Sequence, residues 1–151
     1  MKRVLNNRIF ATVILFAFAL LMNSCGSSRK SIAVEEGWEL LGESKVDFIK
    51  DKDQVDVLSS NRFTALRFKV EERGIRLTDL QVVYQNGDKL SPVIDESIAA
   101  DQYSRDIELS ADGKSIRSVN FKYRTTGNIL KGRGTVLLFG KKYVAPVNYN
   151  N

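Results

Sequence analysis

The sequence predicts an all-β protein: an antiparallel β-sandwich of eight to nine strands, with a jelly-roll-like order or a small barrel as the nearest alternatives. Three observations carry this. From Trp38 onward the dominant hydrophobic period is two, the repeat of a strand with one face in a core and the other in water. Asn86-Gly87 and Asp112-Gly113, pairs that tolerate positive φ in two-residue hairpins, fall between alternating runs. Residues 136–139 are apolar at both parities, as a central strand covered on both sides would be, and this favours the sandwich.

The chain opens on a segment that precedes the domain. Residues 1–8 carry Lys2, Arg3 and Arg8 and no acid, and residues 9–22 are apolar apart from Thr12. That run is shorter than the roughly 20 residues a bilayer-spanning helix needs, and it fits the apolar region of a cleaved secretory signal. Asn23, Ser24 and Cys25 follow, then Gly26-Ser27-Ser28, and Cys25 is the single cysteine of the chain. The order basic, apolar, small, cysteine resembles a bacterial lipoprotein signal peptide over residues 1–24. A plain signal peptide with a coincidental cysteine, or an uncleaved anchor, is the alternative. The resemblance implies lipidation of Cys25 and attachment to the bacterial cell envelope through that lipid. Two or more acyl chains anchor stably where one does not. Gly26 rather than Asp follows the cysteine, which by the same resemblance implies the outer membrane, facing the periplasm.

Residues 25–37 are small and polar and read as a flexible tether reaching roughly 20 Å, unless Ile32 to Val34 adds an edge strand. The β-domain is expected over residues 38–142, with strands near 38–49, 54–58, 62–71, 75–86, 88–94, 103–109, 115–125 and 132–140. The first strand has a place to bend at Gly42. Glu72-Arg73-Gly74, Asp51-Lys52-Asp53 and Ser59-Ser60-Asn61 supply further turns. Residues 95–102 are the one place where a short helical turn is expected. Trp38 is expected to plug an end of the sandwich. Residues 143–151, with Tyr143 and Tyr149, read as a C-terminal tail, where frayed chain is the common outcome.

The runs Trp38-Glu-Leu-Leu-Gly42, Val46-Asp-Phe48, Asp51-Lys-Asp53-Gln-Val55, Arg62-Phe63, Val82-Val83-Tyr84-Gln-Asn86-Gly87, Ser104-Arg105-Asp-Ile107-Glu-Leu109 and residues 116–123 carry a second resemblance. They are similar to a family of small exported bacterial β-proteins classed as a domain of unknown function, over residues 38–140. That resemblance implies a fold and no activity.

Composition bounds the chemistry. The chain has 23 basic and 18 acidic residues, and removing residues 1–24 leaves 20 against 18, a net charge of +2. A nucleic-acid partner is therefore not expected. There is no histidine, which excludes Ser-His-Asp and Cys-His catalysis and His-ligated zinc. No cofactor and no metal are expected. Asp51, Asp53 and Asp56 cluster, but the glycine and the later glutamate of a calcium loop are missing, so a solvated turn is the better account. Gly113-Lys114-Ser115 lacks the earlier glycine of a phosphate-binding loop, since Glu108 stands there, and an Asp-Gly turn explains it.

Charge is unevenly placed. Residues 113–151 hold no acid and eight cations: Lys114, Arg117, Lys122, Arg124, Lys131, Arg133, Lys141 and Lys142. Residues 25–60 carry a net −3. The first six of those cations are the candidate binding residues, for an acidic glycan, an anionic lipid headgroup or an acidic partner. Cross-strand pairing with acids is the plainer account. Glu35, Glu36, Glu39, Glu43 and Asp106 are the carboxylates a glycosidase reading would need in pairs. The expected function is a non-catalytic, lipid-anchored binding or accessory module for an envelope protein assembly. The alternatives are a glycan- or anionic-lipid-binding module and, less favoured, a carboxylate-dependent hydrolase.

Overall fold

The computed structural model describes residues 34–46, 51–126 and 134–146, all within the compact unit Val34–Asn151. Nine strands follow in order: β1 Trp38–Val46, β2 Lys52–Asp56, β3 Phe63–Glu71, β4 Ile75–Tyr84, β5 Lys89–Leu90, β6 Glu96–Ile98, β7 Ile107–Glu108, β8 Ile116–Thr125 and β9 Gly134–Lys142. They form two sheets with order β1-β9-β3-β7 and β2-β8-β4-β5, and β6 adds to the free part of β4. Every pairing is antiparallel. The predicted sandwich is what forms, and no helix occurs among the described residues, so none is long and apolar enough to cross a membrane.

The period-two runs place the core between the sheets. Leu66, Phe68 and Val70 of β3 and Val136 and Leu138 of β9 face Leu77, Leu80 and Val82 of β4 and Val119, Phe121 and Tyr123 of β8, all buried in one cluster. Phe68 meets Phe121 edge-on across the two sheets, with ring centroids 5.3 Å apart. Such a pair adds about 0.5–1.5 kcal/mol to the area it buries. The Tyr123 hydroxyl, at the edge of the core, donates to Asp53 at 2.9 Å, so the buried phenol keeps a partner.

β1 bends where Gly42 leads one to expect it. The register with β9 shifts between Leu40 and Gly42, and this bulge turns Leu41 into the core. A Cβ on Gly42 would come within 2.6 Å of the Val55 side chain of β2. The hairpin glycines Gly87 and Gly113 adopt φ of 91° and 63°, as their turn pairs require. In the β3–β4 turn the positive φ falls on Glu72 (68°) rather than on Gly74, which has Thr126 Oγ1 at 2.7 Å from the place a Cβ would take.

Four expectations are corrected. Residues 95–102 hold no helical turn: β6 pairs with β4, placing Ile98 opposite Ile75, where both are buried. The strand expected over 88–94 shrinks to β5, ahead of Pro92, which has no backbone donor for a ladder. The strand expected over 103–109 is regular only at β7. Upstream of it, Ser104 takes over a ladder step, its Oγ accepting from the Phe68 N–H at 2.9 Å while its own N–H donates to the Phe68 carbonyl at 2.8 Å. Trp38 does not plug the sandwich end. It lies opposite Lys141 on the outer face of the first sheet, buried beneath Arg67, whose guanidinium carbon is 4.0 Å from the ring centroid.

The ends of the domain are fastened. The Lys142 N–H donates to the Gly37 carbonyl and the Tyr143 N–H to the Arg62 carbonyl, both at 2.8 Å. Arg62 also stacks over the Tyr143 ring at 4.8 Å. Residues 47–49 of the first expected strand and Tyr149 of the tail lie outside the described residues.

Gly140 tests the packing directly. A Cβ there would fall 2.5 Å from Phe63 Cδ1 and 2.9 Å from Leu41 Cδ1, and Phe63 is fully buried, so its ring has nowhere to retreat. Gly140→Ala is expected to lower the unfolding free energy by about 1–3 kcal/mol through overpacking. Urea unfolding followed by Trp38 fluorescence measures this.

Candidate functional site

Alternation along β8 sends Val119, Phe121 and Tyr123 inward and Asn120, Lys122 and Arg124 to the outer face of the second sheet. β8 lies between β2 and β4, so its outward residues acquire neighbours on both sides. One rung reads Gln54–Asn120–Gln81, and the next Lys52–Lys122–Asp79. β4 then bulges at Thr78, and the following rung sets Arg124 opposite Arg76. The first two rungs line a groove of about 550 Å³. Arg76, Thr78, Asp95 and Arg124 line a further depression of about 320 Å³ next to it.

The charge arrangement in this groove is unusual. Like charges directly opposite each other across two strands are destabilising, yet Lys52 faces Lys122 and Arg76 faces Arg124. One member of each pair is relieved. Lys122 Nζ lies 3.0 Å from Asp79 Oδ2. Arg76 holds Asp95 with two bonds of 2.6 Å. Lys52 and Arg124 have no acidic partner among the described residues, and with Asp53 also in the groove lining the surface carries four cations against Asp53, Asp79 and Asp95. The adjoining amides complete the surface. Gln54 donates to Asp56 at 2.6 Å, while the half-buried Asn120 and Gln81 keep their side-chain donors and acceptors unspent among the described residues. Amides of this kind match hydroxyls, and the cations match carboxylate or phosphate.

The sequence-predicted cations are only partly brought together. Lys122 and Arg124 share this face. Lys114 sits at the end of the sheet with Nζ 4.8 Å over the Tyr84 ring, and Arg117 donates to the Gln85 carbonyl at 3.0 Å. The two therefore flank the hairpin ends rather than the groove. Lys141 and Lys142 are on β9, in the other sheet. Cys25, Lys131 and Arg133 lie outside the described residues. Of the acidic residues, Asp53 and Asp79 both line the groove and the others lie apart from it. Asp53 takes the Tyr123 hydroxyl and Asp56 the Gln54 amide. Glu35 pairs with Arg67 and Glu39 with Asn61. No group of three potential metal ligands converges among the described residues. Lys52, Arg76, Gln54, Gln81 and Asn120 were not singled out from sequence. Their signal was an outward parity on three strands, and it becomes a site only once the register is known.

Hydrogen bonding from Arg76 holds the Asp95 carboxyl below the ordinary carboxylate range, against a smaller opposing effect of burial, and raises the Arg76 guanidinium in return. A carboxyl lowered in the folded state adds stability above its unfolded pKa and loses it as pH falls through the folded one. Arg76→Gln is therefore expected to return the Asp95 titration to the ordinary range, read from its side-chain carboxyl carbon by NMR. An unchanged titration in that variant would show that the pair does not hold in solution.

These features define an all-β sandwich with a polar groove on one outer face, where Lys52 and Lys122 stand against Asp53 and Asp79, and a cationic depression beside it at Arg76 and Arg124. A family described as a domain of unknown function, DUF2541, matches residues 12–140, and the chain belongs to it. No curated protein matches. Among solved structures, one from the structural and functional characterisation of Pseudomonas aeruginosa AlgX is similar, with a TM-score of 0.40 and 16% identity. The match covers 70% of this chain and 27% of that one, so the present chain spans about a quarter of its length.

Proposed function

We propose that this protein is a lipid-anchored, non-catalytic binding module of the bacterial cell envelope, and that it takes an acidic, hydroxyl-rich polymer, an acidic glycan, along the groove of the second sheet. The observation that carries the reading is the pair of like-charge rungs, Lys52–Lys122 and Arg76–Arg124, beside the Gln54–Asn120–Gln81 row. A strand pairing that sets cation against cation opposes folding. An anion laid across it turns that opposition into binding. The unspent amides of Asn120 and Gln81 supply hydroxyl contacts that a bare charged surface lacks. The absence of histidine supports a non-catalytic role. The envelope location rests on the basic and apolar N-terminal segment and on Cys25.

Two measurements test this. The mature chain is expected to be retarded in affinity gels containing polygalacturonate and not in gels containing neutral dextran. Lys122→Glu with Arg124→Glu should weaken that retardation by at least about tenfold, since a basic group near an anionic surface is worth about 1 kcal/mol. Undiminished binding by the reversed variant, or equal flotation of both proteins on phosphatidylglycerol vesicles without glycan retention, would contradict the reading. In cells, radiolabelled palmitate should enter the wild-type chain and not Cys25→Ala, and the variant should leave the membrane fraction.

A further inference from the structure

The outer face of the first sheet carries a second, separate constellation. Arg67 of β3 projects there, its guanidinium carbon 4.0 Å from the centroid of Trp38 and 4.5 Å from that of Tyr103, with Phe139 beneath at 6.0 Å. Tyr103 and Phe139 themselves stand 5.9 Å apart. A guanidinium held between aromatic planes keeps its edge free for planar, two-point recognition of a carboxylate. Here the edge is only partly used. Glu35 Oε2 meets Arg67 Nη2 at 2.6 Å, and the buried Nε has no hydrogen-bond partner. Glu35 belongs to the short strap ahead of β1 and is largely exposed at 64%, so its hold on Arg67 is that of a solvated ion pair. Lys141 stands 5.9 Å from the Trp38 ring and adds positive potential, while Lys69, 5.6 Å from the Tyr103 ring, is paired with Glu71 at 3.2 Å.

From this we infer that the Arg67 box is a docking site for an acidic peptide segment of a partner protein, with Glu35 holding the place in its absence. Three features select a peptide. The ligand present is itself a glutamate, at the start of the turn that the Trp38 N–H closes on its carbonyl, with half-exposed Val34 beside it, so the box already accepts a carboxylate next to an apolar side chain. Trp38 offers a sugar no free face on which to stack, because it is buried beneath Arg67. Trp, Tyr and Arg gathered at one place, with Tyr103 41% exposed, is the composition of a protein-binding hot spot. A competing carboxylate that reaches both Nε and Nη2 makes the bond Glu35 leaves unmade, and so displaces it.

The probe is a synthetic peptide copying residues 31–37, Ser-Ile-Ala-Val-Glu-Glu-Gly, added to the mature protein. Trp38 is the single tryptophan, so its indole N–H signal in NMR reports the box alone. Glu35→Gln, an exposed change that leaves the fold intact, should raise the apparent peptide affinity by about fivefold or more, because the competent fraction rises when the internal occupant is removed. Arg67→Lys in the Glu35→Gln background keeps the charge without the fork and should abolish the gain, as should a peptide with both glutamates replaced by glutamine. Equal affinity of wild type and Glu35→Gln would overturn the proposal. So would peptide binding that survives Arg67→Lys, or a Trp38 signal that answers to phosphatidylglycerol vesicles and not to the peptide.

Discussion

Four consecutive apolar residues, Val136, Leu137, Leu138 and Phe139, run through the middle of β9, and all four are buried. Side chains alternate along a strand, so burying both parities demands cover on both faces. The inner parity, Val136 and Leu138, is met by the second sheet, and this sets the sandwich. Among the described residues no third layer of helices meets the outer parity. Phe139 is covered by Arg67 and Tyr103, with Trp38 beside them on the face. Pairing β9 to β1 on one side and β3 on the other then fixes which residues these can be, because Leu40, Phe139 and Arg67 fall on one rung. The aromatic box around a single arginine is thus a consequence of how the central strand is buried.

The same topology divides the cations of the C-terminal third. β8 and β9 are neighbours in sequence but belong to different sheets. A run that looks like one basic block becomes two faces with different company. On the second sheet, cations meet cations, acids and amides, and the surface is polar. On the first, cations meet aromatic rings. A polyanion with hydroxyls suits the one, and a carboxylate carried beside an apolar group suits the other. The two proposals thus fall on two outer faces of different chemistry.

Fold class and core were legible from the sequence because one-sided burial writes itself as alternation. Leu66, Phe68 and Val70 alternate with Arg67, Lys69 and Glu71, and the structure places those parities on opposite faces. Gly87 and Gly113 also declared themselves through the positive φ their turns require, and Gly42 as the place where the first strand bends. The short elements did not. β6 has three residues and β7 two, and each exists because a neighbouring edge needs partners, a demand invisible in its own residues. The site was half legible. Lys122 and Arg124 stood out as charge, but Lys52, Gln54, Arg76 and Gln81 join them only through cross-strand register, a long-range property that spacing along one strand does not encode. Trp38 misled for a related reason: an aromatic that opens a domain can turn to either face of its sheet, and the partner that decided it, Arg67, lies on another strand.

The central claim is that the outer face of the second sheet is the binding face. The most direct test is backbone and side-chain amide NMR of the mature protein titrated with an oligogalacturonate. The account predicts that shifts concentrate on the side-chain amides of Asn120, Gln81 and Gln54 and on the backbone of Lys52, Lys122 and Arg124, with Trp38 silent. Shifts confined to the first sheet or to the hairpin ends near Lys114, or none at saturating ligand, would contradict it.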